Sequence, residues 1–219
     1  MFTLHSYWRS SCSWRVRLAL HIKDVPHEVL PVSLVDAGGH QHMSIFTELN
    51  PMAQVPVLTW KNKGKSQILS QSLAIIDYLE RRFPTPSLMP EDDVDRAQAL
   101  AVAEMVNAGI QPLQNLSVLQ NLTKQGVDKA EWSRHWIARG LLAIERTVAD
   151  YPGDFLFGNS PTLAELCLIP QLYNARRFHV ALGKVPRLLK AEAACRELPA
   201  FLSAHPDAQV DAPTSEEKL

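Results

Sequence analysis

Residues 83–90 (FPTPSLMP) carry three prolines in eight positions. Proline has no amide donor and clashes with the preceding helical turn, so neither a helix nor a central strand runs through such a stretch. The segment divides the chain, and the patterns on its two sides differ. Before it, residues 1–7 and 28–33 read as short strands. Residues 56–60 and 66–69 read as two more, and the polar run 61–65 between them predicts a hairpin. After it, residues 93–202 carry helical patterns and no convincing strand. Ile137, Leu141, Ile144 and Val148 form a 4-3-4 stripe, and Thr162 and Glu165 stand at capping-box spacing. Gly109 and Pro112 interrupt a helical run, which predicts a kink. The polar, proline-containing tail from His205 is expected to be extended. The expected organisation is an α/β domain over residues 1–83, a linker over 84–90 and an all-helical domain over 91–219.

Composition narrows the function classes. The chain has 22 basic and 23 acidic residues and a net charge of -1. A general nucleic-acid or membrane-surface binder would show a basic excess. No run approaches the ~20 apolar residues of a membrane span, and residues 1–8 are too polar for a secretory signal. Cys12, Cys167 and Cys195 form no even framework, which suits a reducing compartment. The cytoplasm is the expected location. No His-Glu-x-x-His motif occurs, and His40-Gln41-His42 lacks a third ligand nearby, so no metal site is expected.

The unit strand, Arg9-Ser10-Ser11-Cys12, helix is the most informative. Residues 12–23 satisfy both strand-like alternation and helical spacing. Length, the leading serines and Pro26 favour a helix. Hydroxyls and a thiol then stand at a helix N-terminus, where orphan amides and the dipole favour an anion. A serine there either caps the helix or donates to a bound thiolate. Arg15 and Arg17 follow closely, although isolated arginines are expected on the surface. Thioredoxin-type exchange needs Cys-x-x-Cys here, and Arg15 occupies the second position. Val55-Pro56 is a candidate cis peptide at a strand start, with a trans proline as the alternative. Gln71-Ser72 opens the next helix and suits either a carboxylate or a cap. Gln111 and Asn115 are spaced to share one helix face, with Ser117 just beyond. Arg176 and Arg177 end a helix, where they suit the dipole or clamp a carboxylate.

Several motifs together resemble one family. SSCSWRVRLAL (residues 10–20), NPMAQVP (50–56), QSLAIIDYLE (71–80), IQPLQNLSVL (110–119) and LCLIPQ (166–171) are similar to zeta-class glutathione transferases, the maleylacetoacetate isomerases. The first and fourth are specific to that class. The resemblance implies the glutathione transferase fold: a thioredoxin-like N-terminal domain, a helical C-terminal domain, a homodimer and a cis Pro56. It implies glutathione as cofactor along Ser10, Ser11, Cys12, Gln41, Val55, Pro56, Gln71 and Ser72, with Gln111, Asn115 and Ser117 nearby. It implies catalysis by Ser10, Ser11 and Cys12, with Arg9 and Arg177 on a small carboxylate substrate. The implied reaction is glutathione-dependent cis-trans isomerisation in aromatic amino-acid catabolism. Maleylpyruvate isomerisation, glutathione conjugation, α-haloacid dehalogenation and a non-catalytic binding module are the alternatives. Trp8, Glu165 and Ala181 depart from the family's usual residues.

Overall fold

The computed structural model describes residues 1–213. The first unit contains a four-stranded sheet in the order β2-β1-β3-β4. Strand β1 (Phe2–Ser6) runs parallel to β2 (His27–Pro31) and antiparallel to β3 (Val57–Asn62), which pairs antiparallel with β4 (Lys65–Ser70). The parallel pair needs a crossover, and α1 (Ser11–Ile22) supplies it. The hairpin turn falls on Lys63 and Gly64, both at positive φ (49° and 78°). That is the geometry a two-residue turn needs to match strand twist, and glycine adopts it without steric cost. A short α2 (Ser44–Thr47) precedes β3, and α3 (Ser72–Arg82) follows β4.

Helix α1 explains the ambiguous pattern in its sequence. Every residue from Ser13 to Leu20 is buried, so no solvent face marks a helical period. Arg15 and Arg17 are both fully buried, contrary to the surface placement expected of isolated arginines. Their positions are set by partners distant in sequence, described below.

The second unit is helical: α4 (Asp93–Gly109), α5 (Leu116–Lys124), α6 (Lys129–Thr147), α7 (Leu163–Arg177) and α8 (Pro186–Arg196). Helix α7 is its centre, with Leu166, Cys167, Leu168 and Leu172 at 0% exposure. The 4-3-4 stripe of α6 is buried throughout, and each such side chain contributes roughly 1.5–3 kcal/mol. At Gly109 the helix ends rather than kinks. A 3-10 turn over Gln111–Gln114 follows, because Pro112 cannot continue the α-helical bonding. Gln111 and Asn115 therefore share no helix: Asn115 is the N-cap of α5, and its Oδ1 accepts from Leu116 N–H.

The division of the chain differs from a simple cut at residue 91. Contacts group Met1–Ser87 with the segment from Leu198, and Leu88–Glu197 with itself. The proline-rich stretch is tied into the first unit by Lys23. Its buried ammonium donates to the carbonyls of Phe83 (2.6 Å) and Pro86 (2.8 Å) and pairs with Glu80 (2.7 Å). Helix α9 (Pro199–Ala204) packs on α1. The tail is not simply extended: a 3-10 turn covers Pro206–Ala208. Residues 214–219 of that expectation lie outside the described residues.

Candidate active site

Strand register gathers three chemically distinct segments. His5 pairs with Val57, and Val57 pairs with Ser70. The end of β1, the start of β3 and the end of β4 therefore lie at one end of the sheet. The loop 7–10, the Val55-Pro56 corner and Gln71-Ser72 all emerge there. Tyr7, Trp8 and Val55 share a buried apolar cluster with Val32, Phe46 and Val57.

Ser10 is the N-cap of α1, with extended backbone (φ -64°, ψ 119°). Its Oγ accepts from Ser13 N–H at 3.2 Å. Accepting that bond leaves the hydroxyl proton directed elsewhere, as a donor. The first turn of α1 contains no acidic residue, so that turn does not itself neutralise the positive end of the helix. Ser11 is buried and Cys12 half-buried in that turn. The Arg9 guanidinium lies over the Trp8 ring, 5.1 Å from its centroid.

The Val55-Pro56 peptide is cis, as the resemblance implies. Gln71 holds φ 71° and ψ 112°, a left-handed backbone in a residue with a side chain. Such conformations cost about 1–3 kcal/mol and persist only where surroundings enforce them, commonly at binding sites. Ser72 is buried, and its Oγ accepts from Arg15 Nη1 at 3.4 Å. The buried Arg15 thus ties the start of α3 to α1. Gln41 sits in a 3-10 turn, His40–His42, and is buried. Its Oε1 has no hydrogen-bond partner among the described residues. Gly39 stands beside it at φ 99°, a conformation that favours glycine, and a Cβ added there would press on the Gln41 amide.

The first unit thus brings together Arg9, Ser10, Ser11, Cys12, Val55, Pro56, Gln71 and Ser72, and also carries Gln41. Gln111, Asn115, Ser117 and Arg177 belong to the second unit. There Ser117 is exposed on α5. Arg177 is exposed at the end of α7, with its guanidinium 5.1 Å from the Phe178 ring centroid. Arg176 is engaged in a bidentate pair with Glu192, at 2.7 and 2.5 Å. The second unit also has a cavity of about 300 Å³, lined by Leu141, Leu142, Val180 and Val185 with Arg134 and Lys184. None of the expected site residues lines it.

The sequence reading missed Arg17. Its Nη2 donates to Trp8 C=O (2.8 Å), and its Nη1 to Ser6 Oγ (3.0 Å) and Tyr7 C=O (3.4 Å). Burial pulls its pKa down to about 10, with Asp211 opposing, so it stays charged at neutral pH. The available signal was two arginines inside an otherwise apolar run, Trp14 to Leu20.

Comparison with known proteins agrees with this geometry. Residues 9–82 match the family model for the glutathione S-transferase N-terminal domain. A probable maleylacetoacetate isomerase 2 from Drosophila melanogaster is 43% identical, over 96% of this chain and 90% of its own length. The chain belongs to the zeta-class glutathione transferase, or maleylacetoacetate isomerase, family. A family member of known structure, maleylacetoacetate isomerase from Anaeromyxobacter dehalogenans with bound GSH in the active site, is 46% identical. It superimposes with a TM-score of 0.90, covering 97% of this chain and 98% of that one. The holo structure of a zeta-class maleyl pyruvate isomerase also gives a TM-score of 0.90, at 40% identity, covering 96% of this chain and 100% of that one. The fold is that of the glutathione transferases. Among the described residues, no helix is long and apolar enough to cross a membrane.

Proposed function

We propose that this chain isomerises maleylacetoacetate to fumarylacetoacetate with glutathione as its cofactor. The observation that carries the reading is Ser10. It is a hydroxyl donor at a helix N-terminus lacking an acid, at the sheet end shared with the cis-proline corner. The first unit fits the cofactor on further counts: the orphaned Gln41 Oε1 and the enforced backbone of Gln71. Bound glutathione supplies the nucleophile: its sulfur adds to the alkene, breaks conjugation so that the carbon–carbon bond can turn, and leaves unchanged.

The protein's own residues do the rest. Ser10 donates its proton toward the sulfur and stabilises the ionised form, since a hydrogen bond to the charged state favours that state. The amides of Ser11 and Cys12 add the helix's positive end. Val55, Pro56, Gln71, Ser72 and Gln41 hold the cofactor in this proposal, with Gln111, Asn115 and Ser117 as further contacts. Arg9 and Arg177 receive substrate carboxylates, for which guanidinium geometry is matched. A homodimer in the cytoplasm completes the reading. The three free thiols, Cys12, Cys167 and Cys195, suit a reducing compartment.

A second reading, maleylpyruvate as the substrate, is supported by the maleyl pyruvate isomerase similarity. Steady-state rates on both diacids, with and without glutathione, separate the readings. Higher kcat/KM on maleylacetoacetate with no turnover when glutathione is omitted supports the first. Preference for maleylpyruvate replaces it with the second, and turnover without glutathione rejects both.

A further inference from the structure

The segment after α8 returns to the first unit and grips the loop that carries Ser10. Two hydrogen bonds span nearly the whole chain. Arg17 Nε donates to Ala204 C=O at 3.1 Å, and Trp8 N–H donates to Asp211 Oδ2 at 2.9 Å. The other Arg17 nitrogens donate to Ser6 Oγ, Tyr7 C=O and Trp8 C=O. Residue 8 is therefore fixed on both sides: its N–H by Asp211, its C=O by Arg17. Tyr7 C=O also accepts from Ser10 N–H at 3.0 Å. Ala212 packs against the apolar cluster that contains Tyr7 and Trp8.

The charges are arranged to match. A fully buried guanidinium is costly unless opposed by an anion. The Asp211 carboxylate opposes it electrostatically. Asp211 commits one oxygen to Trp8, while the other is buried with no hydrogen-bond partner among the described residues. The Asp211 charge thus offsets part of the cost of burying Arg17.

We propose that Asp211 and Arg17 are positioning residues. With the Ala204 carbonyl they form a C-terminal clasp that sets the β1–α1 loop and hence the Ser10 hydroxyl. The functional half of this statement rests on the role given to Ser10 above; the structural half does not. A group that stabilises a developing charge must be held within about 0.5 Å of its working position. Loops do not meet that standard unless tied down. Here Asp211 ties the loop from 203 positions away, and Arg17 links it to Ala204.

The test compares Asp211→Ala and Asp211→Asn in the full chain. Asparagine keeps an acceptor oxygen for Trp8 N–H, whereas alanine removes it. The first readout is hydrogen exchange of the Trp8 amide in the protein alone. We expect it to accelerate by about tenfold or more in Asp211→Ala, with amides of β3 and β4 unchanged, and to accelerate less in Asp211→Asn, which keeps the acceptor for Trp8 but loses the charge that opposes Arg17. The second readout is kcat and KM for glutathione. We expect kcat to fall about tenfold in Asp211→Ala, with part of the loss restored in Asp211→Asn. Unchanged Trp8 exchange in Asp211→Ala overturns the clasp. So does an increase spread evenly over the sheet, which marks general destabilisation. Local loss of Trp8 protection with unaltered kcat and KM overturns the positioning role. A wild-type protein without glutathione-dependent turnover refutes the proposed function instead, and the exchange data still decide the clasp.

Discussion

Two helices of this protein begin with the same device and complete it differently. Ser10 caps α1 and Thr162 caps α7, each with a hydroxyl accepting a first-turn amide. At α7 the cap is closed. Thr162 N–H and Oγ1 both donate to Glu165 Oε2 (2.8 and 2.7 Å), and Glu165 Oε1 accepts from Leu156 N–H at 2.5 Å. The hydroxyl proton is committed, and the carboxyl group that accepts it sits inside the helix's own first turn. At α1 the residue in the same place is Ser13, and the first turn has no acid. The hydroxyl retains its proton to donate, and the dipole lacks its anion. One N-terminus is closed by its own first-turn carboxyl; the other has no acid in its first turn.

The comparison breaks if exchanging the roles makes no difference. Ser10→Ala should lower kcat/KM by about 100-fold or more, the usual cost of deleting one preorganised donor. Its thermal stability should fall by only about 1 kcal/mol, the value of a cap. Glu165→Ala should show the reverse. It strands the Leu156 and Thr162 amides inside the protein, and buried unpaired groups cost roughly 1–3 kcal/mol each. Denaturant unfolding should therefore register a loss of about 3 kcal/mol, with the folded fraction retaining its specific activity. If Glu165→Ala instead loses activity without losing stability, the joint at α7 is not merely structural.

A smaller effect sharpens the same contrast through pH. Burial raises the Glu165 pKa above its ordinary 4.5, against the opposing hydrogen bonds from Leu156 and Thr162. The folded state then holds its proton to a higher pH than the unfolded chain. Its contribution to stability is fullest below 4.5 and declines as pH rises through the raised value. Unfolding midpoints measured upward from that pH should show this decline in the wild type and a flatter course in Glu165→Gln. Equal slopes in the two proteins would show that Glu165 does not titrate with folding.

Local signals were readable from the chain, and distant ones were not. The hairpin at residues 61–65 and the Thr162–Glu165 box depend on neighbours within a few positions, and the structure shows both. Helix α1 was ambiguous because burial on all sides erases the period that periodicity arguments need. Gln111 and Asn115 share a face only in an unbroken helix, and Gly109 and Pro112 end that helix. Arg15 and Arg17 read as surface residues because what buries them lies elsewhere: Ser72 for one, Ala204 and Asp211 for the other. No window of sequence contains those pairs. For the same reason, assigning everything after residue 91 to the helical domain missed the return of the last segment to the sheet unit.

In the proposed reaction the Ser10 hydroxyl stabilises an ionised sulfur at a helix N-terminus with no acid in its first turn. Ultraviolet titration of the glutathione thiol bound to wild-type protein and to Ser10→Ala tests it directly. The bound thiol should ionise at lower pH than the free thiol in the wild type, and Ser10→Ala should return it toward the free value. Identical titrations for the two proteins would contradict it.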